Sequence, residues 1–251
     1  MNIYGEFASV YDIMQYDVDY ENWIEQIKAI ATKYFKGPRS MLELACGTGT
    51  IGIGLSKRGF LVEALDISED MLTVAQSKAY DAGVKMRFYH QDMVTFNTKK
   101  TYDVVFCMCD GLNYILDEAS VGTVFKNVEK HLNPGGLFIC DLSSKYKLKE
   151  VIGNSTFAET FDHAAYIWEN EFDEHTNQLA FTLTLFKEDD EGYQRFEEFH
   201  TQKAYENDSI LNVANPYFTV LETVDGDTFE VASEKSERIC FIMKRKIQEA
   251  L

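Results

Sequence analysis

Two glycines one residue apart, Gly47 and Gly49, close the stretch Met41-Leu42-Glu43-Leu44-Ala45-Cys46-Gly47-Thr48-Gly49-Thr50. A short apolar run ends in that turn and an amphipathic segment follows it, so the stretch reads as a strand, a tight loop and the first turn of a helix. Glycine takes positive φ without a clash, and its missing side chain lets a ligand lie against the backbone. A parallel strand would deliver this loop to the carboxyl edge of its sheet, where open α/β folds bind ligands. The spacing alone also fits a turn that binds nothing, or a loop that cradles a dinucleotide or another adenosine cofactor. Glu43 is the odd residue, a carboxylate in an apolar strand. An isolated buried charge is costly, so Glu43 calls for a hydrogen-bonding or cationic partner, or a place near the loop mouth.

Further residues with chemistry to offer follow in order. Phe60-Leu61-Val62-Glu63-Ala64-Leu65-Asp66 reads as a second strand, and Asp66 follows Gly49 by 17 residues. That is near the distance at which a carboxylate reaches ribose hydroxyls in nucleotide-binding α/β units, and an acceptor-only group can take both hydroxyl hydrogens. Asp66 could instead cap the next helix, a role Ser68 fills as well. Past a third strand, Val84 to His90, Asp92 can accept from an exocyclic amine and Met93 can flank an aromatic ring, unless they are a cap and a core residue. Tyr102 to Met108 is almost continuously apolar, as an interior parallel strand should be, and opens into Cys109-Asp110-Gly111-Leu112-Asn113-Tyr114.

The elements that position these groups are legible from spacing. Trp23, Ile24, Ile27, Ile30, Ala31 and Tyr34 recur at helical period from Tyr20 to about Phe35, and Gly37-Pro38 stops that helix. A helix over 118 to 131 precedes Leu132-Asn133-Pro134-Gly135-Gly136, the turn into a fifth strand, Leu137 to Asp141. The aromatics before the first helix, among them Tyr4, Phe7 and Tyr11, either complete the core or form a flap over the 45–50 loop with a Tyr hydroxyl reaching the cofactor.

At 251 residues the chain can bury a sizeable core. No stretch is apolar enough to cross a membrane and the first residues lack signal-peptide character, so a cytoplasmic protein is expected. Five cysteines beside apolar runs suggest reduced, mostly buried thiols, and Cys107-Met108-Cys109 lacks the companion pair a metal site would need, so no metal is expected. A net charge of -17 repels phosphate backbones and argues against nucleic acid, leaving a small-molecule partner, neutral or cationic.

Taken together, these motifs resemble the class I S-adenosylmethionine-dependent methyltransferases. The marks are Leu42-Glu43-Leu44-Ala45-Cys46-Gly47-Thr48-Gly49, Asp66, Gln91-Asp92-Met93, Tyr102-Asp103-Val104-Val105 and Leu132-Asn133-Pro134-Gly135-Gly136-Leu137. The opening Tyr4-Gly5-Glu6-Phe7-Ala8-Ser9-Val10-Tyr11-Asp12 looks like bacterial small-molecule members close to the sugar amine N-methyltransferases. The resemblance implies an α/β fold with a seven-stranded Rossmann-like sheet. It implies S-adenosyl-L-methionine as cofactor, its amino acid portion at Glu43, Ala45, Cys46, Gly47 and Gly49, its ribose at Asp66 and its adenine at Asp92 and Met93. Tyr4, Tyr11, Ile67, Met71 and Cys109 complete the expected cofactor set. Gly47, Gly49 and Gly52 fit the dinucleotide fingerprint too; the Pro134-Gly135-Gly136 turn and the final strand pair favour the methyltransferase layout.

From Phe161 the periodicity becomes two. Tyr166, Trp168, Asn170 and Phe172, then Leu179 to Leu185, then Phe196, Glu198, His200 and Gln202 give three antiparallel strands with turns at 174–177 and 189–192. Residues 155–207 are thus expected to be a three-stranded lid inserted into an α/β domain of 1–150 and 208–251. The acceptor wall is expected from Cys109, Asp110, Asn113, Tyr114, Ser143, Tyr166, Trp168, Arg195, His200 and Tyr205. Asp110 could orient an ammonium, remove a proton or cap a turn, and His200 is either a base or a structural histidine. The expected activity is methyl transfer to nitrogen or oxygen of a small molecule, with an amine among the expected acceptors. A cofactor-binding regulator without catalysis and an RNA methyltransferase with a partner remain alternatives, as do monomer and homodimer.

Overall fold

The computed structural model describes Ala8 and residues 10–190 and 192–247. Tyr4 and Glu191 lie outside them. Six α-helices are described, α1 Tyr11–Met14, α2 Tyr20–Tyr34, α3 Thr50–Lys57, α4 Glu69–Asp81, α5 Glu118–Lys130 and α6 Asn207–Ala214. The strands are β1 Ser40–Leu44, β2 Leu61–Asp66, β3 Arg87–His90, β4 Tyr102–Cys107, β5 Leu132–Ser143, β6 Thr156–Thr160, β7 Ala164–Asp173, β8 Gln178–Asp189, β9 Gly192–Lys203, β10 Phe218–Asp225 and β11 Arg238–Arg245.

Seven strands form the main sheet in the order β10-β11-β5-β4-β1-β2-β3. β1 to β5 run parallel, while β11 lies antiparallel to both β5 and β10. Successive side chains of the central strands leave opposite faces, so β4 sends Val105 and Cys107 to one core and Val104 and Phe106 to the other. One core packs against Val121, Val124, Phe125 and Val128 of α5, the other against Trp23, Ile24, Ile27 and Ala31 of α2. The side chains of Asp19, Ser68 and Asp117 each accept an amide N–H from the first turn of α2, α4 and α5, which fixes where those helices begin. The expected third strand is shorter than its apolar run, because pairing with β2 starts only at Arg87.

The inserted sheet has four strands, β6-β7-β8-β9, not three. β6 escapes a periodicity search because it is an edge strand of 5 residues whose one large apolar side chain, Phe157, packs on Trp168. Register places Trp168, Leu183 and Glu198 in one row and Asn170, Phe181 and His200 in the next, all on the inner face. That face packs through Leu183 and Leu185 on Met71 and Val10, and through Phe172 and Leu179 on Leu148 and Ile152 beside a single π turn, Lys147–Val151. Arg195 has the opposite parity. It is exposed and pairs with Glu197 on the outer face, which removes it from the expected acceptor wall.

No helix of the described residues is long and apolar enough to cross a membrane. The five cysteines are free thiols. Cys107 and Cys109 face opposite cores, because β4 ends at Cys107 and the turn after it swings Cys109 to the other side.

Candidate active site

The loop after β1 is left-handed at three of five positions, Ala45 at φ 49°, Gly47 at 52° and Gly49 at 75°. Gly49 N–H donates to the Cys46 carbonyl at 2.8 Å, which closes the turn, and Cys46 N–H donates to the Leu65 carbonyl at 3.0 Å. A Cβ built on Gly47 would meet nothing within 4 Å, so that backbone faces open space. Beneath the loop, Glu43 is buried and its Oε2 accepts the Gly52 N–H at 3.1 Å. Burial outweighs this hydrogen bond and pushes the Glu43 carboxyl up to about 8.

Asp66 is buried at the end of β2, where Oδ2 accepts the Gly47 N–H and Oδ1 the Ser68 N–H, each at 2.8 Å. Burial raises its pKa, and the backbone amides of Ser68, Gly47 and Ile67 oppose that rise. Ser68, not Asp66, caps α4, by accepting the Met71 N–H at 3.2 Å. Each oxygen of Asp66 accepts one amide, and a carboxylate has about four lone-pair sites, so acceptor capacity remains for a ligand. Ile67 is exposed, and its carbonyl lies 2.9 Å from His90 Nε2. Met71 is buried under the inserted sheet. Asp92 Oδ1 accepts the Val94 N–H at 2.8 Å, and Met93 packs on the α5-side core.

The turn after β4 brings the rest together. Cys109 at φ 63° and Asp110 at 54° are consecutive left-handed residues. Cys109 Sγ lies 3.7 Å from the Tyr11 hydroxyl. Burial and neighbouring Asp110 push the thiol up to about 12, and burial likewise raises Tyr11 well above its ordinary value. Gly111 touches the cofactor loop and the Asp92-Met93 step: a Cβ on it would sit 2.9 Å from Ala45 Cβ and 3.7 Å from Met93 Cε. Asp110 is held twice, by Arg238 Nη2 at 3.0 Å on Oδ1 and by Gln202 Nε2 at 2.7 Å on Oδ2. Arg238 also donates to buried Asp141, at 2.8 Å.

His200 is buried on the inner face of the lid, stacked on Phe181 with centroids 4.8 Å apart and edge-on to Tyr114 at 5.9 Å. Desolvation pushes it down to about 4, so the imidazole is neutral and only weakly basic near neutral pH. Trp168 lies between Phe157 and Phe181. Asn113 and Ser143 are buried and bonded to each other's chain, Ser143 N–H donating to Asn113 Oδ1 at 2.9 Å. Tyr205 sits in the α5-side core with its hydroxyl on the Ile115 carbonyl. Arg238 and Asp141, which hold Asp110, were not singled out in the sequence. Each is a charge in or at the head of an apolar run, the same signal that marks Glu43.

The methyltransferase domain family matches residues 41–136. A protein of Geobacillus sp. (strain WCH70), provisionally named a methyltransferase, is 34% identical over 245 residues, covering 96% of this chain and 99% of that one. The chain belongs to the S-adenosylmethionine-dependent methyltransferases. The crystal structure of such an enzyme from Clostridium acetobutylicum ATCC 824 superposes with a TM-score of 0.88 at 33% identity, covering 96% of this methyltransferase and 98% of that chain. More distantly, a Streptomyces fradiae dTDP-3-amino-3,6-dideoxy-alpha-D-glucopyranose N,N-dimethyltransferase is 27% identical over 139 residues, 55% of this chain and 53% of that protein. S-adenosyl-L-methionine is therefore the cofactor, and the open space over Gly47, the acceptor carboxylate of Asp66 and the apolar flank of Met93 fit it.

Proposed function

We propose that this methyltransferase methylates an amine nitrogen of a small molecule held between the inserted sheet and the turn after β4. The observation that carries this is the state of its two candidate bases. His200 is pushed down to about 4, and both oxygens of Asp110 are taken, by Arg238 and Gln202. Neither is set up to draw a proton from a hydroxyl. A neutral amine needs no such help, because its lone pair attacks directly and its proton leaves to water afterwards.

Bound S-adenosylmethionine supplies an electrophilic methyl on a sulfonium. In this reading Glu43, Ala45, Cys46, Gly47 and Gly49 hold its amino acid portion, Asp66 with Ile67 its ribose, and Asp92 and Met93 its adenine. Tyr11, Met71 and Cys109 close the cleft around it. Asp110, its oxygens held by Arg238 and Gln202, acts through space on the positive charge that grows on nitrogen, and His200 shapes the wall as a neutral ring. Much of the rate then comes from holding nitrogen, methyl and sulfur in line. The Streptomyces fradiae relative, whose name makes it an amino-sugar N,N-dimethyltransferase, supports an amine acceptor.

Two measurements test this. Calorimetry should show S-adenosylmethionine binding to the purified protein. A metabolite pool incubated with cofactor carrying a labelled methyl should yield N-methylated products; label found on oxygen instead would overturn the amine assignment.

A further inference from the structure

Two consecutive left-handed residues, neither of them glycine, cost on the order of 1–2 kcal/mol each and persist only where their surroundings hold them. At Cys109 and Asp110 the holder is Asp141 on β5. Its Oδ2 accepts the Cys109 N–H at 3.2 Å and its Oδ1 the Asp110 N–H at 2.9 Å, the arrangement in which successive amides cradle an anion. Asp141 has no exposed surface, so its charge needs a counter-ion, and Arg238 at the head of β11 supplies it. The same guanidinium reaches the side chain of Asp110, lies 5.0 Å over the Trp23 ring and has Asp227 Oδ1 at 3.5 Å from its Nε. A ring results: Arg238 to Asp141, Asp141 to the Asp110 amide, and the Asp110 side chain back to Arg238.

Two things attach to that ring. On one side the turn presses on the cofactor loop, through Gly111 against Ala45 and Met93. On the other side it holds the end of the lid, because Gln202 of β9 donates to Asp110 Oδ2 and the next residue, Lys203, gives its carbonyl to Asn113 Nδ2 at 2.9 Å. Gln202 is itself buried. The turn after β4 is thus the joint between the cofactor loop and the inserted sheet.

We infer that Arg238 is a positioning residue that sets this joint, so that cofactor binding at the 45–49 loop is transmitted through Asp110 and Gln202 to the last residues of β9. It touches neither cofactor nor acceptor. Its role depends on cofactor binding alone, whatever the acceptor is. The planar fork of arginine is what allows one side chain to serve two carboxylates, and a lysine of the same charge cannot hold both in that geometry.

The test uses the full chain, S-adenosylhomocysteine as ligand, calorimetry for affinity and hydrogen exchange over residues 198–205 for the lid. In the unaltered protein the ligand should slow exchange at the end of β9 at least severalfold. Arg238→Lys keeps a counter-ion for Asp141 and should still fold. It should bind S-adenosylhomocysteine about tenfold more weakly, within the usual range of coupling between sites, and lose the ligand-dependent slowing. Gln202→Leu should keep affinity within about threefold while losing the slowing, because it cuts only the lid side of the joint. Arg195→Ala on the outer face should change neither. A merely structural arginine would lower the melting temperature and leave both readouts intact; that result for Arg238→Lys, or retained slowing in Gln202→Leu, overturns the inference.

Discussion

Oε2 of Glu43 accepts the Gly52 N–H at 3.1 Å, tying the last turn of β1 to the first turn of α3 beneath the cofactor loop. The contact has no slack: a Cβ on Gly52 would fall 2.3 Å from that same oxygen and 2.8 Å from Met86 Cε. Gly52→Ala should therefore cost about 1–3 kcal/mol through overpacking. A melting temperature within 1 °C of the parent would show that the carboxyl moves aside freely.

Glu43 also makes a pH prediction. Its folded pKa of about 8 lies above the unfolded value, so the neutral acid is the form the fold prefers. The contribution is complete below roughly pH 4.5 and is lost as pH rises toward 8, on the order of 3 kcal/mol by neutral pH. Glu43→Gln removes the titrating group. It should melt with the parent at pH 5 and roughly 5–10 °C above it at pH 8. Parallel melting curves across that range would contradict the raised pKa.

His200 titrates in the other direction. Its folded pKa of about 4 lies below the unfolded value, so its stabilisation is complete above roughly pH 6.5 and is lost as pH falls toward 4. His200→Phe, which keeps a ring against Phe181, should gain about 2 kcal/mol over the parent at pH 5 relative to pH 8. If the acceptor is an amine as proposed, the same variant should still turn it over, because that reading gives the imidazole no part as a base. Loss of turnover by a factor of a thousand with the fold intact would return His200 to a catalytic role.

Asp66 should matter to cofactor affinity through the loop as well as by direct contact, because it holds the Gly47 amide in place. Asp66→Ala leaves two amides without their acceptor, at a cost of about 1–3 kcal/mol, and should weaken S-adenosylmethionine binding at least about tenfold. Asp66→Asn, with one acceptor oxygen left, should fall between. Equal cofactor affinity in all three proteins, measured by calorimetry, would detach Asp66 from the site.

At the other side of the loop, Lys78 of α4 pairs with Asp12 of α1 and donates to Thr48 Oγ1 at 3.0 Å and Thr50 Oγ1 at 2.8 Å. The pair is partly exposed, so Lys78→Met should cost no more than about 1 kcal/mol overall. Its effect should be local: exchange at residues 11–14 should quicken severalfold, and 0.5 M salt should mimic part of that in the unaltered protein. Unchanged exchange at α1 would show that the apolar contacts of Val10 and Tyr11, with the Thr48 hydroxyl on Asp12, hold the segment without Lys78.

Much of this protein is written locally. The glycine turn, the carboxylate ending β2 and the 3.6-residue period of α2 are each decided by residues a few positions apart, so sequence determined the α/β sheet, the cofactor loop and the cofactor's family. The extent of the inserted sheet was less legible, because β6 is a short edge strand that turns only one large apolar side chain, Phe157, toward the core. The misplaced Arg195 has a similar origin: strand alternation sorts residues into two sets, and only packing decides which set faces inward. The joint at Asp110 was beyond reach for a different reason. Asp110, Asp141, Gln202 and Arg238 stand on four separate segments, and nothing in their spacing says that one guanidinium will neutralise a carboxylate on a strand and another in a turn. Glu43 was conspicuous in sequence as a charge in an apolar run, yet its partner, the Gly52 amide, and its pKa near 8 depend on how deeply the tertiary fold removes it from water. Burial is a property of the assembled chain, so the electrostatics of the site, unlike its motifs, were decided by the tertiary structure.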